Sequence, residues 1–134
     1  MDCVFCDVAA GSVFSHTIYE DSNHIAILDK YPIDRGHTLL IPKKHAERIT
    51  DMDDDAVGLL FSRLPKISRA ILKGTGADSF NIGQNNGKGA RQIVPHVHIH
   101  IIPRYGETGA VWNQRKIASN SEMEKTAKLI RSSF

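Results

Sequence analysis

His96-Val97-His98-Ile99-His100-Ile101-Ile102 sets three histidines two residues apart, with only β-branched residues between and after them. Side chains alternate across a strand, so the three imidazoles share one face while Val97, Ile99 and Ile101 share the other. An ordinary half-exposed strand carries Lys, Thr, Ser or Glu on its polar face. Three imidazoles supply neutral bases, nucleophiles or metal ligands near pH 7. Adjacent same-face residues lie about 6.6 Å apart at Cα, so one ion does not recruit all three and a division of labour along the strand is expected.

Immediately upstream, Asn85-Asn86-Gly87-Lys88-Gly89 reads as a turn, and Phe80 to Gln84 as the strand before it. Further back, Val57, Leu60, Leu64, Ile67 and Ile71 recur at spacings of three and four. The spacing predicts one long helix from Asp53 to Lys73, capped by Thr50 or Asp51, kinked at Pro65 and ended by Gly74. His37 to Pro42 reads as a buried strand that delivers Lys43, Lys44 and His45 at its end. Thr17 to Glu20 and His24 to Asp29 read as two strands joined through Asp21-Ser22-Asn23. A short helix over Val4 to Ala10 and a final helix from Ser121, boxed by Ser121 and Glu124, complete the plan.

The chain has 134 residues, 41% hydrophobic and 24% charged, which fits one domain with one core over 1–134. A net charge of +2 with interspersed signs calls for neither nucleic acid nor an anionic membrane as partner. Apolar runs fall short of the roughly 18 residues of a membrane span, and Met1-Asp2-Cys3-Val4-Phe5-Cys6 lacks the basic and apolar regions of a leader. The expected compartment is the cytoplasm.

Cys3 and Cys6, the only cysteines, form a C-x-x-C. A redox pair places this motif after a strand in a βαβ unit, and no strand precedes it here. The pair is otherwise half of a tetrahedral zinc site that takes two ligands from elsewhere, or two small buried thiols. The histidine row has two chemistries open to it: an H-x-H metal site, or phosphorus chemistry in which one imidazole attacks and a neighbour supports the developing charge.

Together, Cys3-Val4-Phe5-Cys6, Leu28-Asp29-Lys30-Tyr31-Pro32, Leu40-Ile41-Pro42-Lys43-Lys44-His45, Asn85-Asn86-Gly87, the histidine row and Ile102-Pro103-Arg104-Tyr105 resemble the histidine triad superfamily. The likeness runs over nearly the whole chain. It implies an α+β domain with an antiparallel sheet of about five strands, one long helix and short terminal helices, paired edge to edge in a two-fold homodimer. It further implies a hydrolase or transferase acting at the α-phosphorus of an adenosine-type nucleotide, a phosphoramidate or a dinucleoside polyphosphate, through a nucleotidyl-His98 intermediate.

In that resemblance His98 is the nucleophile and His100 donates to the phosphate or bridging oxygen. Asp29 accepts from the ribose hydroxyls, Phe5, Val8 and Ile27 surround the base, and Asn85 and Gln92 lie near the phosphate. The branch with an N-terminal C-x-x-C implies structural zinc on Cys3, Cys6, His45 and His96. One departure stands out. Where members carry Gly-Gln-Ser/Thr-Val, this chain has Arg91-Gln92-Ile93-Val94. Loss of a transition-state donor costs about 2.7–4 kcal/mol. Arg91 brings compensating charge for an extended polyphosphate, and the competing expectation is a nucleotide-binding regulatory module with weak catalysis.

Overall fold

Ile25 and Ile27 alternate with Ala26 and Leu28, and Leu39 and Ile41 alternate with Leu40, so both strands carry apolar residues on both faces. Such strands are stable only when covered on both sides. The computed structural model, which describes residues 2–106 and 115–134, places them at the centre of a five-stranded antiparallel sheet of order β1-β2-β3-β5-β4. The strands are β1 Thr17–Glu20, β2 His24–Leu28, β3 Thr38–Pro42, β4 Ser79–Gln84 and β5 Ile99–Arg104. The helices are α1 Val4–Ala9, α2 Asp54–Ser62, α3 Leu64–Thr75 and α4 Asn120–Arg131.

The register defines the two faces. Leu39 pairs with His100 and with Ile27, whereas Leu40 pairs with Ile99 and with Ala26. Leu40, Ala26 and Ile99 face the larger core, built with Leu60, Leu64, Ile67 and Ile71 of α2 and α3 and Met123, Ala127 and Ile130 of α4. Leu39, Ile27, Ile25 and Ile41 face the smaller cluster with Cys3, Phe5 and Val8. The histidine face is therefore roofed by α1, and the opposite face is bolted to the long helices.

The expected long helix is two helices. Arg63 ends α2 and starts α3, with Pro65 in the first turn of α3. Pro65 has no N–H for the Phe61 carbonyl and its ring crowds the preceding turn, so the chain breaks rather than bends. The start is Asp53, since Thr50 and Asp51 belong to a 3-10 turn, and the stop is Gly76 in the left-handed region (φ 77°). Gly74 lies inside α3, where a Cβ would meet the Ile130 backbone at 2.8 Å. Its role is close approach to α4.

The last helix starts two residues before the expected box: Ser119, not Ser121, caps it, its Oγ accepting from the Glu122 amide at 3.1 Å. The ladder of β5 begins at Ile99, so His96 to His98 lead into the strand instead of lying in it. Their backbone and side chains bond elsewhere: Val97 N–H donates to the Ala46 carbonyl at 2.8 Å and the His96 ring bonds the Pro42 carbonyl. Among the described residues no helix is long and apolar enough to cross a membrane.

Candidate active site and metal centre

Hydrogen bonds fix the tautomer of each histidine in the row. His98 Nδ1 lies 2.7 Å from the His96 carbonyl, which only accepts, so Nδ1 carries the proton and Nε2 keeps a bare lone pair. The Phe5 ring stands edge-on to His98 at 5.0 Å between centroids. Burial lowers the pKa of His98, opposed by the bond to the His96 carbonyl and by the charge of Asp29. A neutral imidazole with an open Nε2 is the form that attacks.

His100 is set through a fourth histidine. The buried Ile33 N–H donates to His37 Nδ1 at 3.0 Å, which leaves the proton of neutral His37 on Nε2. That N–H faces His100 Nδ1 at 2.9 Å. His100 Nδ1 therefore accepts, and its Nε2 carries the hydrogen. Burial, reinforced by the neighbouring His100 and Arg115, pulls the pKa of His37 down to about 2. Burial and His98 pull that of His100 down to about 4. Both are neutral at pH 7. The outcome is a lone pair on His98 beside an N–H on His100, with ring centroids 5.0 Å apart.

Asp29 follows directly on β2. Its Oδ1 accepts from the Tyr31 amide and its Oδ2 from Arg115 Nη1, each at 2.9 Å, with His37 Nε2 3.6 Å from Oδ2. Asp29, His37 and His100 also lie close enough together to suggest a metal site. The tautomer argues against that use, because His37 Nε2 bears a hydrogen while Nδ1 is taken by Ile33. A cavity of about 520 Å³ is lined by Asp29, Asp34, His37 and Arg104 but by neither His98 nor His100, so the triad lies outside it.

Phe5, Val8 and Ile27 are buried together in the smaller cluster on the histidine face. Gln92 is spent on the loop itself: Oε1 accepts from the Gly87 amide and Nε2 donates to the Glu47 carbonyl, both at 2.6 Å. Asn85 is half-buried at the start of that loop. Ile93 is 84% exposed and offers no side-chain hydrogen bond. Arg91 takes a left-handed backbone (φ 64°), the only non-glycine with positive φ among the described residues. Such a conformation costs of order 1–3 kcal/mol in a residue with a Cβ.

At the far end of the row, His96 turns from His98 and His100 to the cysteines. Its Nε2–H donates to the Pro42 carbonyl at 2.7 Å, which leaves Nδ1 as the ligand atom. Nδ1 of His96 lies 3.2 Å from Cys3 Sγ, 3.5 Å from Cys6 Sγ and 3.1 Å from His45 Nδ1, and His45 Nδ1 lies 3.4 Å from Cys6 Sγ. An ideal tetrahedron around zinc has S···N edges of about 3.6 Å and N···N edges of about 3.3 Å. The four groups therefore converge as a closed donor set that can hold a metal ion. Burial and Cys3 push the Cys6 thiol up to about 11, and a bound cation would favour its thiolate.

The resemblance grouped Cys3, Cys6, His45 and His96, which the structure brings together, and set His98 beside His100, but it passed over His37. Its position was visible as the first residue of the expected strand His37 to Pro42, which the structure starts at Thr38, and its partner was not, because pairing across β3 and β5 joins residues 63 apart. Arg115 and Ile33 were missed for the same reason.

Comparison with known proteins places this geometry. Residues 11–107 match the HIT domain family. The adenylylsulfatase HINT3 of Arabidopsis thaliana is 41% identical over 127 residues, covering 94% of this chain and 64% of its own length. The adenosine 5'-monophosphoramidase hnt1 of Schizosaccharomyces pombe is 36% identical over 107 residues, covering 80% of this chain and 77% of its own. The crystal structure of a zinc-bound histidine triad family protein from Mycobacterium smegmatis superposes with a TM-score of 0.89 at 37% identity, covering 99% of this chain and 93% of that one.

Proposed function

The chain belongs to the HIT domain family, and from that premise we propose that it is a nucleotide hydrolase or transferase working at the α-phosphorus of an adenosine nucleotide through a nucleotidyl-His98 intermediate. The observation that carries this reading is the tautomer pattern: an open Nε2 on His98 beside an Nε2–H on His100. His98 Nε2 attacks the α-phosphorus and the bond to the leaving group breaks. The His100 N–H hydrogen-bonds the oxygen or bridging atom on which charge gathers. Water then attacks the phosphorus, releasing AMP and free His98. Being neutral with Nδ1 engaged, His100 acts as a hydrogen-bond donor. His37 acts through His100 and is a positioning residue.

Asp29 stands at the end of β2 to take the ribose hydroxyls in exchange for its bond to Arg115. Phe5, Val8 and Ile27 form the apolar wall for the base, and Asn85 and Gln92 shape the loop at the phosphate. Cys3, Cys6, His45 and His96 would hold zinc as a structural ion: four protein ligands would leave no position for water, and the ion would tie α1, and with it Phe5, to the strand that follows His98. The free edge of β4, with Phe80 and Ile82 exposed, supports a homodimer joined through that edge, checked by sedimentation. The reduced cysteine pair suits the cytoplasm.

The exposed Ile93 favours one second reading, a nucleotide-binding module that has lost most of its turnover. AMP release from an adenosine phosphoramidate, adenosine 5'-phosphosulfate and a diadenosine polyphosphate decides between them. Turnover that vanishes in His98→Ala supports the enzyme. Nucleotide binding with no turnover of any of the three overturns it.

A further inference from the structure

The loop between β4 and β5 begins and ends beside His98. Gln84, its last strand residue, pairs with Ile99, and the loop returns at His96. Asp29, directly after β2, lies on the other side of β5, across β3. A nucleotide with its ribose at Asp29 and its phosphorus at His98 therefore directs its leaving group toward this loop.

The loop carries cations with no acids to offset them. Residues 84–95 contain no acidic side chain and carry Lys88 and Arg91. The Arg48 guanidinium lies across Gly87, where a Cβ would meet Nη2 at 2.9 Å; Gly87 itself has φ 91°. Arg48, Lys88 and Arg91 are exposed and make no ion pair with any described residue. Arg91 adds the backbone outlier: glycine would take its left-handed φ without strain, yet the chain keeps an arginine there. Two positions on, Ile93 presents no hydroxyl for hydrogen bonding to a leaving group.

We propose that Arg91 determines leaving-group specificity by binding an oxyanion, sulfate or phosphate, joined through oxygen to the α-phosphorus. The proposal rests on the enzymatic reading above. In the step concerned, the His98 Nε2–P bond forms and the P–O bond to the leaving group breaks. The bonding pair departs on the sulfate or phosphate oxygen, which leaves as an anion and needs no proton. A guanidinium matches two oxygens of such a group, and its charge grows in value as the leaving group's does.

The test compares kcat/KM for adenosine 5'-phosphosulfate and a diadenosine polyphosphate, each relative to adenosine phosphoramidate, in wild type, Arg91→Gly and Arg91→Lys. The ratio for one or both anionic leaving groups falls by about tenfold or more in Arg91→Gly, the worth of a charge-assisted hydrogen bond, and recovers in part in Arg91→Lys. Which ratio falls identifies sulfate or phosphate as the group bound. Arg91→Gly also relieves the backbone, so its Tm stays level or rises. Unchanged ratios overturn the proposal. Calorimetry with ADP and AMP separates it from the enzymatic reading, because the β-phosphate stands where the leaving group would. If no substrate turns over but wild type prefers ADP to AMP and Arg91→Gly does not, the enzymatic reading fails and the Arg91 contact stands. An ADP preference unaffected by Arg91→Gly, or absent from wild type, overturns the contact.

Discussion

His37 Nε2 stands 2.9 Å from His100 Nδ1 and leaves the hydrogen of neutral His100 on Nε2. The bond joins the first residue before β3 to a residue of β5, and it is held from behind by the Ile33 amide. One buried histidine thus decides which nitrogen of another carries the hydrogen.

Removing that N–H leaves His100 free to turn or to take a second proton. In His37→Asn, kcat/KM falls by about 10- to 100-fold, at or below the low end of a positioned acid or base. Without a donor aimed at Nδ1, protonation of His100 becomes easier, so the acid limb of the pH profile moves to higher pH. A lower rate with an unmoved acid limb assigns His37 a purely structural role.

The same depressed pKa values tie stability to pH. In the unfolded chain these histidines titrate near 6.5, whereas folded His100 waits until about 4 and His37 until about 2. Below 6.5 the unfolded state binds more protons, so stability is full above that pH and is lost as pH falls. Each of the two adds about 1.4 kcal/mol per pH unit to the slope while folded and neutral. Denaturant titrations from pH 7 down to about 5, with excess zinc, show a shallower loss in His37→Asn than in wild type.

Metal removal separates structure from chemistry. Chelation, or Cys3→Ser, abolishes metal binding and lowers Tm, because the closed donor set links α1 to the lead-in of β5. Below the lowered transition the protein keeps its histidine-dependent turnover. Loss of all turnover in a protein that is still folded by circular dichroism would show the metal taking part in the reaction.

Gly74→Ala tests the packing that supports the sheet. The added Cβ lies 2.8 Å from the Ile130 backbone, which has no rotamer with which to yield, so α3 and α4 are forced apart. The expected loss is about 1–3 kcal/mol by denaturant titration, despite the gain in helix propensity. No change would mean that the two helices separate freely.

What could be read from the chain without its structure was what repeats at short range. The alternation in His96 to His100 set the shared face of the histidines, and the resemblance carried by the motifs at Cys3, Cys6 and His45 grouped the four residues that the structure brings together. Pro65 was visible as a disturbance, but whether a proline bends or breaks a helix depends on what the flanking turns pack against. Ser119 and Ser121 are equally good caps by composition, each with a glutamate three residues on, and the structure uses the former. The role of His37, and the bonds by which Gln92 braces the loop, were beyond reach because their partners, His100, Ile33, Gly87 and Glu47, are chosen by register and loop closure.

The most direct measurement of the central claim is intact-mass and peptide mapping of the protein quenched in acid-free denaturant during turnover of an adenosine substrate. An adenylyl adduct on His98, absent from His98→Ala and decaying in step with AMP release, is the predicted result. Turnover without any adduct, or an adduct that persists in His98→Ala, contradicts it.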